Sequence, residues 1–364
     1  MRILTANIPL PLNRFLVDLN AAFSKHADIT HDAELFWSRQ GQFDVVHLHF
    51  PEYMTAQHES QYASGLSDQL IEETEACLNW WGHRSKLVIT RHVLLPHDAL
   101  TNPRWEKMYE AVYRQVHAVV HFASASIEEF RERYRNTKFV HGEPEHAVVP
   151  HHNYAGLPNT LSRGEARDML GIADGRKVML VFGAIRNFEE RDLILRTFQS
   201  LRIPAKLLLV SRWKEQLAKV RWIRLKYWLR DLNRLYYRLH PQYKFNYSFV
   251  EEVDTQLWLN AADVLFIPRL KVLNSGNITL GMTFGKVVVG PDSWDVGQLL
   301  RETGNPVFDP ERPETAALAV EEGFRLAASG HVGTANQKLA MNEWTAEKCA
   351  ARYLQVFQTV LQRS

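Results

Sequence analysis

Short apolar runs alternate along the chain with longer stretches in which apolar residues recur every three or four positions. Runs rich in β-branched residues read as buried strands, and the 3.6-residue period reads as helices packed on them. Strands are expected at 2–6, 43–50, 86–90, 118–122 and 147–150, with helices at 13–25, 67–81, 105–115 and 126–134 between them. The stretch 151–162, holding Gly156 and Pro158, reads as a linker. Beyond it Ser162 and Glu165 form a capping-box pair that opens a helix. The alternation then restarts, with strands at 178–182, 206–210, 247–250, 264–267 and 287–290. Helices are expected at 191–200, 214–239, 254–260 and 278–284, and two more close the chain at 314–328 and 345–362. Two successive βα arrays predict an α/β chain of two doubly wound domains, whose ligands lie at the carboxyl ends of the strands. The expected boundaries are 1–155, 156–340 and a terminal helical segment, 341–364, that crosses back to the first domain.

Composition narrows the function classes. Hydrophobic residues make up 46% and charged residues 23% of 364, enough apolar surface for two cores. A formal net charge of +2 gives no global polyanion signal, so nucleic acid is not an expected partner. Cys77 and Cys349 are far apart and form neither a zinc ribbon nor a disulfide framework, which suits a reducing cytosol. The first apolar run is broken by Pro9 and Pro11 and does not read as a signal peptide. No stretch approaches the roughly 18 uncharged apolar residues of a spanning helix. A cytoplasmic location is expected, with contact to the inner face of the membrane left open.

The segment 268–285 carries the strongest chemistry. A strand runs into a basic polar loop with a glycine and then into a helix start. Backbone N–H groups at a helix N-terminus form an anion site where a glycine lets the ligand approach, and Arg269 and Lys271 add positive charge. The competing reading is an ordinary strand-to-helix turn capped by Ser275 or Asn277. No Walker or GxGxxG pattern is present.

Several short motifs together carry a resemblance. The run Ala261-Ala262-Asp263-Val264-Leu265-Phe266-Ile267-Pro268, then Asn274-Ser275-Gly276-Asn277 and Gly285-Lys286-Val287-Val288-Val289, resembles the donor-binding segment of GT-B glycosyltransferases. Exopolysaccharide and capsule enzymes of bacteria carry a similar Asn-Ser-Gly loop. Phe182-Gly183-Ala184-Ile185-Arg186 is similar to the first strand and loop of the donor domain. Asn13-Arg14-Phe15, His47-Leu48-His49-Phe50-Pro51-Glu52, Thr90-Arg91-His92, Pro96-His97-Asp98 and Val149-Pro150-His151-His152-Asn153-Tyr154 match the same group in the first half.

The resemblance implies the GT-B fold: two facing Rossmann-like domains with a cleft between them. The first domain takes the acceptor and the second a UDP- or GDP-sugar. Gly183 and Arg186 are then expected at the diphosphate, with Asn274, Ser275, Gly276 and Asn277 holding phosphate or sugar oxygens. Arg269, Lys271 and Arg191 are further donor-side candidates. A fixed cation stabilises the charge that develops on a departing diphosphate, so no metal is expected. Two departures stand out. Glu189 occupies the place of a lysine common in these enzymes, so it is expected to point away, with Arg191 substituting. Val272 and Leu280 stand where retaining relatives carry paired glutamates, which leaves the stereochemical outcome open.

An inverting transfer needs a general base for the acceptor hydroxyl. His49 and Glu52, or His92, His97 and Asp98, are the candidates, all at strand ends of the first domain. His151 and His152 are expected to position the domains or the sugar. None of these groups has metal-ligand spacing. The stretch 212–244 carries ten Lys or Arg against Glu215 and Asp231, interleaved with aromatic residues. Such a stretch suits either an anionic membrane surface or an aromatic face packed on the domain. The reading as a whole is transfer of a sugar to a hydroxyl of a lipid-linked saccharide in exopolysaccharide or capsule synthesis. A catalytically silent GT-B subunit that binds or activates a partner transferase is the alternative.

Overall fold

The computed structural model describes residues 1–11, 13–96, 102–213, 232 and 234–363. His97 and Asp98, and most of the helix expected at 214–239, lie outside the described residues. The chain divides into two compact units, Met1–His152 with Trp344–Ser364, and Asn153–Glu343.

The first unit is built on six parallel strands: β1 (Arg2–Thr5), β2 (Asp28–His31), β3 (Val45–Leu48), β4 (Lys86–Thr90), β5 (Ala118–His121) and β6 (Glu145–Val148). Their order across the sheet is β2-β1-β3-β4-β5-β6. Parallel strands need crossover helices, which cover both faces and demand apolar side chains on each. One face packs Leu78, Trp81, Trp105 and Val112 from the helices Asp68–Gly82 and Pro103–Tyr113. The other packs Leu19 and Phe23 from Arg14–Phe23 together with Tyr353, Phe357 and Val360 from the terminal helix Ala346–Gln362.

The second unit holds β7 (Lys177–Ala184), β8 (Lys206–Arg212), β9 (Tyr243–Phe245), β10 (Val264–Phe266), β11 (Val287–Pro291) and β12 (Val307–Phe308). The order is β12-β11-β10-β7-β8-β9, again all parallel. Here β7 pairs with its sequence neighbour β8 on one side and with β10 on the other, so the strand order reverses between β7 and β10. In the first sheet the reversal lies between β1 and β3. Crevices at the carboxyl ends of such reversals are where doubly wound sheets bind ligands.

Several elements differ from the sequence expectation, which has no place for the helices Ala33–Trp37, Ala56–Ser64 and Trp294–Glu302 or the strand Val307–Phe308. The strand expected at 247–250 lies instead at Tyr243–Phe245, registered on Leu208, Leu209 and Val210. Asn246 ends it: its side-chain oxygen accepts the Ser248 N–H at 3.2 Å, a local turn that competes with strand pairing. Strand β2 was not anticipated because its four residues, Asp-Ile-Thr-His, include only one aliphatic side chain. The helix His331–Glu343 was missed because it buries Gly333, Asn336 and Ala340 rather than an apolar stripe. A Cβ on Gly333 would stand 2.4 Å from the Gly285 carbonyl oxygen, so the backbone there approaches too closely for a side chain.

Candidate functional sites at the two strand reversals

In the second unit, the end of β7 and the loop after β10 are neighbours because the strands pair. The pairing of β7 shifts register between Val181 and Ala184, and Gly183 inside that irregularity has φ +92°, a conformation costly for any residue with a Cβ. Its N–H donates to Ser211 Oγ at 2.8 Å. From the other side, Asn277 donates through Nδ2 to the Phe182 carbonyl at 2.9 Å. The Gly-Ala-Ile-Arg turn and the Asn-Ser-Gly-Asn turn are therefore fastened to one another.

Ser275 is the N-cap residue of the helix Gly276–Thr283, yet its side chain makes no capping bond. Its Oγ is buried and has no hydrogen-bond partner. A hydroxyl so placed costs free energy unless something else satisfies it. The helix thus presents first-turn N–H groups without a side-chain cap, beside a buried hydroxyl able to donate or accept. That is the chemistry of an oxyanion receptor.

Glu190 sits at the same place. It lies in the first turn of the helix Phe188–Ser200, whose N-cap Asn187 accepts the Glu190 N–H at 2.8 Å. Its buried carboxylate accepts the backbone N–H of Arg186 at 2.9 Å and faces Arg269 Nε at 3.4 Å. The latter is an ion pair rather than an aligned hydrogen bond, for Arg269 Nε has no hydrogen-bond partner. Burial lowers the Arg269 pKa, while Glu190 opposes the shift. In the sequence Glu189 is the more conspicuous carboxylate, yet the structure buries Glu190 and leaves Glu189 exposed. The signal was there in Asn187 followed three residues later by a glutamate, the spacing of a helix start with an inward-turned N3 side chain.

The remaining donor-side candidates are dispersed. Glu189 is exposed. Arg191 is held by Asp192 at 2.9 Å and lies over the Phe188 ring. Lys271 is exposed, and Asn274 is half-buried at the loop before the helix. Val272 and Leu280 are both buried, so apolar side chains shut off from solvent occupy the positions of the absent carboxylate pair.

At the reversal of the first unit, the loops after β1, β3 and β4 bring different chemistry together. Asn7 is fully buried and staples the two central loops: its Oδ1 accepts the His49 N–H at 3.1 Å, and its Nδ2 donates to the Phe50 carbonyl at 2.9 Å. His49 Nδ1 and His92 Nε2 are 3.1 Å apart and share a proton-mediated contact. His92, half-buried, stacks on Phe50 with ring centroids 4.1 Å apart and meets Phe15 and Phe122 edge-on. His49 Nε2 is buried with no partner. Below this pair, His47 Nε2 meets Thr90 Oγ1 at 2.9 Å, and Thr90 donates to the Tyr353 hydroxyl at 3.1 Å.

Burial in this aromatic nest disfavours the imidazolium. It drives His49 and His92 well below the usual histidine range and His47 down to about 3. Glu52, in the short 3-10 turn Pro51–Tyr53, is pushed up to about 7 by the same desolvation, partly offset by the Tyr109 hydroxyl donating at 2.8 Å. Arg91 of the Thr-Arg-His motif turns away into the core, where it bonds the Ser126 carbonyl at 2.7 Å and pairs with Glu129. His152 donates to the Phe15 carbonyl at 2.9 Å and stacks on the Phe15 ring, holding the start of the first helix. Asn7 and Tyr109, which order the candidate groups, were not singled out from sequence. Neither belongs to a motif, and only the fold brings them to His49 and Glu52.

Among the described residues, no group of three or more His, Cys, Asp or Glu is placed to hold a metal ion. No helix among them is long and apolar enough to cross a membrane.

No protein-family model matches the sequence, and no curated protein matches it. Solved structures do match its architecture. HepE of Anabaena, solved with UDP-glucose, superposes with a TM-score of 0.69 at 12% identity, over 99% of this chain and 100% of that one. Sucrose-phosphate synthase of Thermosynechococcus elongatus gives 0.67 at 13%, over 100% and 99%. The catalytic domain of starch synthase IV of Arabidopsis thaliana, bound to ADP and acarbose, gives 0.58 at 11%, over 98% and 79%. Two six-stranded parallel doubly wound units matched end to end define the class: the chain has the GT-B fold.

Proposed function

We propose that the protein is a glycosyltransferase that moves a sugar from a UDP- or GDP-sugar to a hydroxyl of a lipid-linked saccharide, in the synthesis of an exopolysaccharide or capsule. The observation that carries this reading is the uncapped helix N-terminus at Ser275, with its unpartnered buried hydroxyl, at the strand reversal of the second unit. Gly183 and the N–H groups after Ser275 hold the diphosphate, Asn274 and Asn277 order the turn, and Arg186 and Arg269 face the charge that develops as the diphosphate leaves. Support also comes from HepE, starch synthase and sucrose-phosphate synthase, which share the fold.

The first unit supplies the acceptor site and the base. His92 fits that role. With His92 Nε2–H donated to His49 Nδ1, Nδ1 of His92 is left as the acceptor for the proton of the attacking hydroxyl. The oxygen–carbon bond forms as the bond to the diphosphate breaks, the nucleoside diphosphate departs, and His49 shares the charge gained by His92. His49 is then a positioning residue. Glu52, held by Tyr109, stands as the second candidate base.

The test is release of UDP or GDP from a panel of nucleotide sugars, with and without a membrane extract as acceptor source. Turnover with one donor that disappears in Ser275→Val and His92→Gln supports the reading. A second reading, a silent subunit that activates a partner transferase, is favoured by Glu190, a carboxylate beside the place where a diphosphate would add negative charge. Nucleotide binding without turnover of any donor would establish that reading and sink the first.

A further inference from the structure

At the end of the second sheet opposite the crevice, where its strands begin, a cavity of about 510 Å³ opens. Lys177 at the start of β7, Asp263 just before β10 and Lys286 just before β11 line it, together with Arg163. Because β10 lies between β7 and β11, the two lysines stand two strand spacings apart, roughly 10 Å at the backbone. The helix Gly276–Thr283 runs from Ser275 at the crevice to this cavity, where Phe284 and Gly285 join the wall. Its 8 residues put about 12 Å between the two places.

The charges in the cavity do not cancel. Among the described residues Asp263 is its only carboxylate, and it is already engaged. Oδ1 accepts from Arg163 Nη2 at 2.7 Å, while Oδ2 accepts from Arg167 Nη2 at 3.0 Å and from the Val178 N–H at 2.8 Å. Lys286 Nζ donates to the carbonyls of Ala262 and Asn260 at 3.2 and 3.5 Å, closing the end of the helix Thr255–Ala261. Carbonyls are neutral, so the ammonium keeps its charge and a third N–H. Half-buried Lys177 has no ion pair or hydrogen bond to its amine among the described residues. Burial pushes the Lys286 amine down to about 8, with Arg163 and Arg167 adding to the fall and Asp263 opposing it. An anion beside it would oppose that shift.

We infer that this cavity is a binding site for a phosphate-bearing small molecule, separate from the crevice. Lys177 and Lys286 take phosphate oxygens from two sides, and Arg163, which gives Asp263 one N–H, has the rest of its fork for a third. With Arg167 behind Asp263, four cations surround one carboxylate, which calls for a ligand with more than one negative charge. Cations spread over roughly 10 Å suit two linked phosphates better than one compact ion. The inference does not depend on which reaction, if any, the protein performs.

The experiment is acetylation of the full chain by an amine-reactive ester, read by peptide mass spectrometry, with pyrophosphate as the probe. Near-saturating pyrophosphate should slow labelling of Lys177 and Lys286 by about fivefold or more. That protection should persist in Ser275→Val, where the crevice has lost its hydroxyl. Sodium chloride at matched ionic strength should protect neither lysine. Equal protection by chloride would show charge screening alone, and protection that vanishes in Ser275→Val would show an effect of the crevice; either overturns the proposal. Stronger protection by malonate than by pyrophosphate would overturn the assignment to phosphate. In the Ser275→Val background, Lys177→Met should weaken pyrophosphate binding about tenfold by calorimetry, with the melting temperature unchanged. Unaltered affinity in that variant would reject the site.

Discussion

The two units share a topology at the point that matters, a parallel sheet whose strand order reverses beside its first strand, yet they fill the crevice with opposite chemistry. In the second unit the groups at the crevice are mostly backbone: a glycine at positive φ, a helix start without a cap, and a buried arginine balanced by a carboxylate. In the first they are side chains, the neutral imidazoles of His49 and His92 among Phe15, Phe50 and Phe122. Fixed N–H dipoles suit an anion that is present before and after a reaction. Desolvated imidazoles suit a proton that must arrive and leave. The fold supplies the position, and the residues after each strand decide which kind of ligand chemistry it serves.

The largest expected contrast is in acid. All the histidines except His240 and His331 belong to the first unit. His47 and His151 are held at about 3, and His58 and His146 at about 4, by burial. Below about 6.5 the unfolded chain binds protons that the fold refuses. The stability these residues contribute is therefore complete above pH 6.5 and is lost as pH falls toward 3. For fully buried His47 the loss is on the order of 4 kcal/mol. Glu52 has the opposite slope: raised to about 7, it stays protonated in the fold while the unfolded chain ionises, costing stability as pH rises from 4.5 to 7. One carboxyl does not outweigh several imidazoles. Amide hydrogen exchange at pH 7 and about pH 4.5 should show β1–β6 losing protection before β7–β12, and equal loss would break the contrast.

Next in size is catalysis. With a donor in hand, His92→Gln should lower turnover by about a hundred- to ten-thousandfold with little change in donor KM. His49→Gln should cost less and change the shape of the pH–rate profile, as expected of a residue acting through His92. A variant of either that alters donor KM alone would move the proton chemistry elsewhere, with Glu52 first in line.

On the other side, Arg269→Met leaves Glu190 buried without its cation. A destabilisation of about 3 kcal/mol is expected in urea unfolding, most of it recovered when Glu190→Gln is added. Failure of the double variant to recover would mean that Arg269 acts through packing alone. The smallest effect should come from Tyr109→Phe, which removes the hydroxyl that donates to Glu52. Stability should fall by about 1 kcal/mol, and the Glu52 carboxyl should titrate higher than about 7 by carbon NMR.

Strand-forming runs such as Val45–Leu48 and Val287–Pro291 were readable because a parallel strand buried on both faces must be apolar throughout. The Asn-Ser-Gly-Asn turn was readable because glycine and small polar residues between a strand and a helix have few other uses. Strand β2 and the helix His331–Glu343 were opaque: one carries a single aliphatic residue, and the other packs through glycine and asparagine. At the candidate sites the motifs named His49 and His92 but not their contact. Glu190 was hidden behind the more conspicuous Glu189.

By itself, then, the sequence determined the alternation of strands and helices, the two α/β arrays and the position of the Asn-Ser-Gly-Asn turn. All of these follow from local periodicity and local backbone preference. Tertiary structure alone decided the pairings that give those residues their character: β7 against β10, Asn277 on Phe182, Glu190 on Arg269 and His49 on His92. Each joins segments separated in sequence, and each owes its strength to exclusion of water. Burial makes an imidazole neutral, a carboxyl reluctant to ionise and an unpartnered hydroxyl costly, and burial is a property of the assembled sheet and its covering helices rather than of any motif.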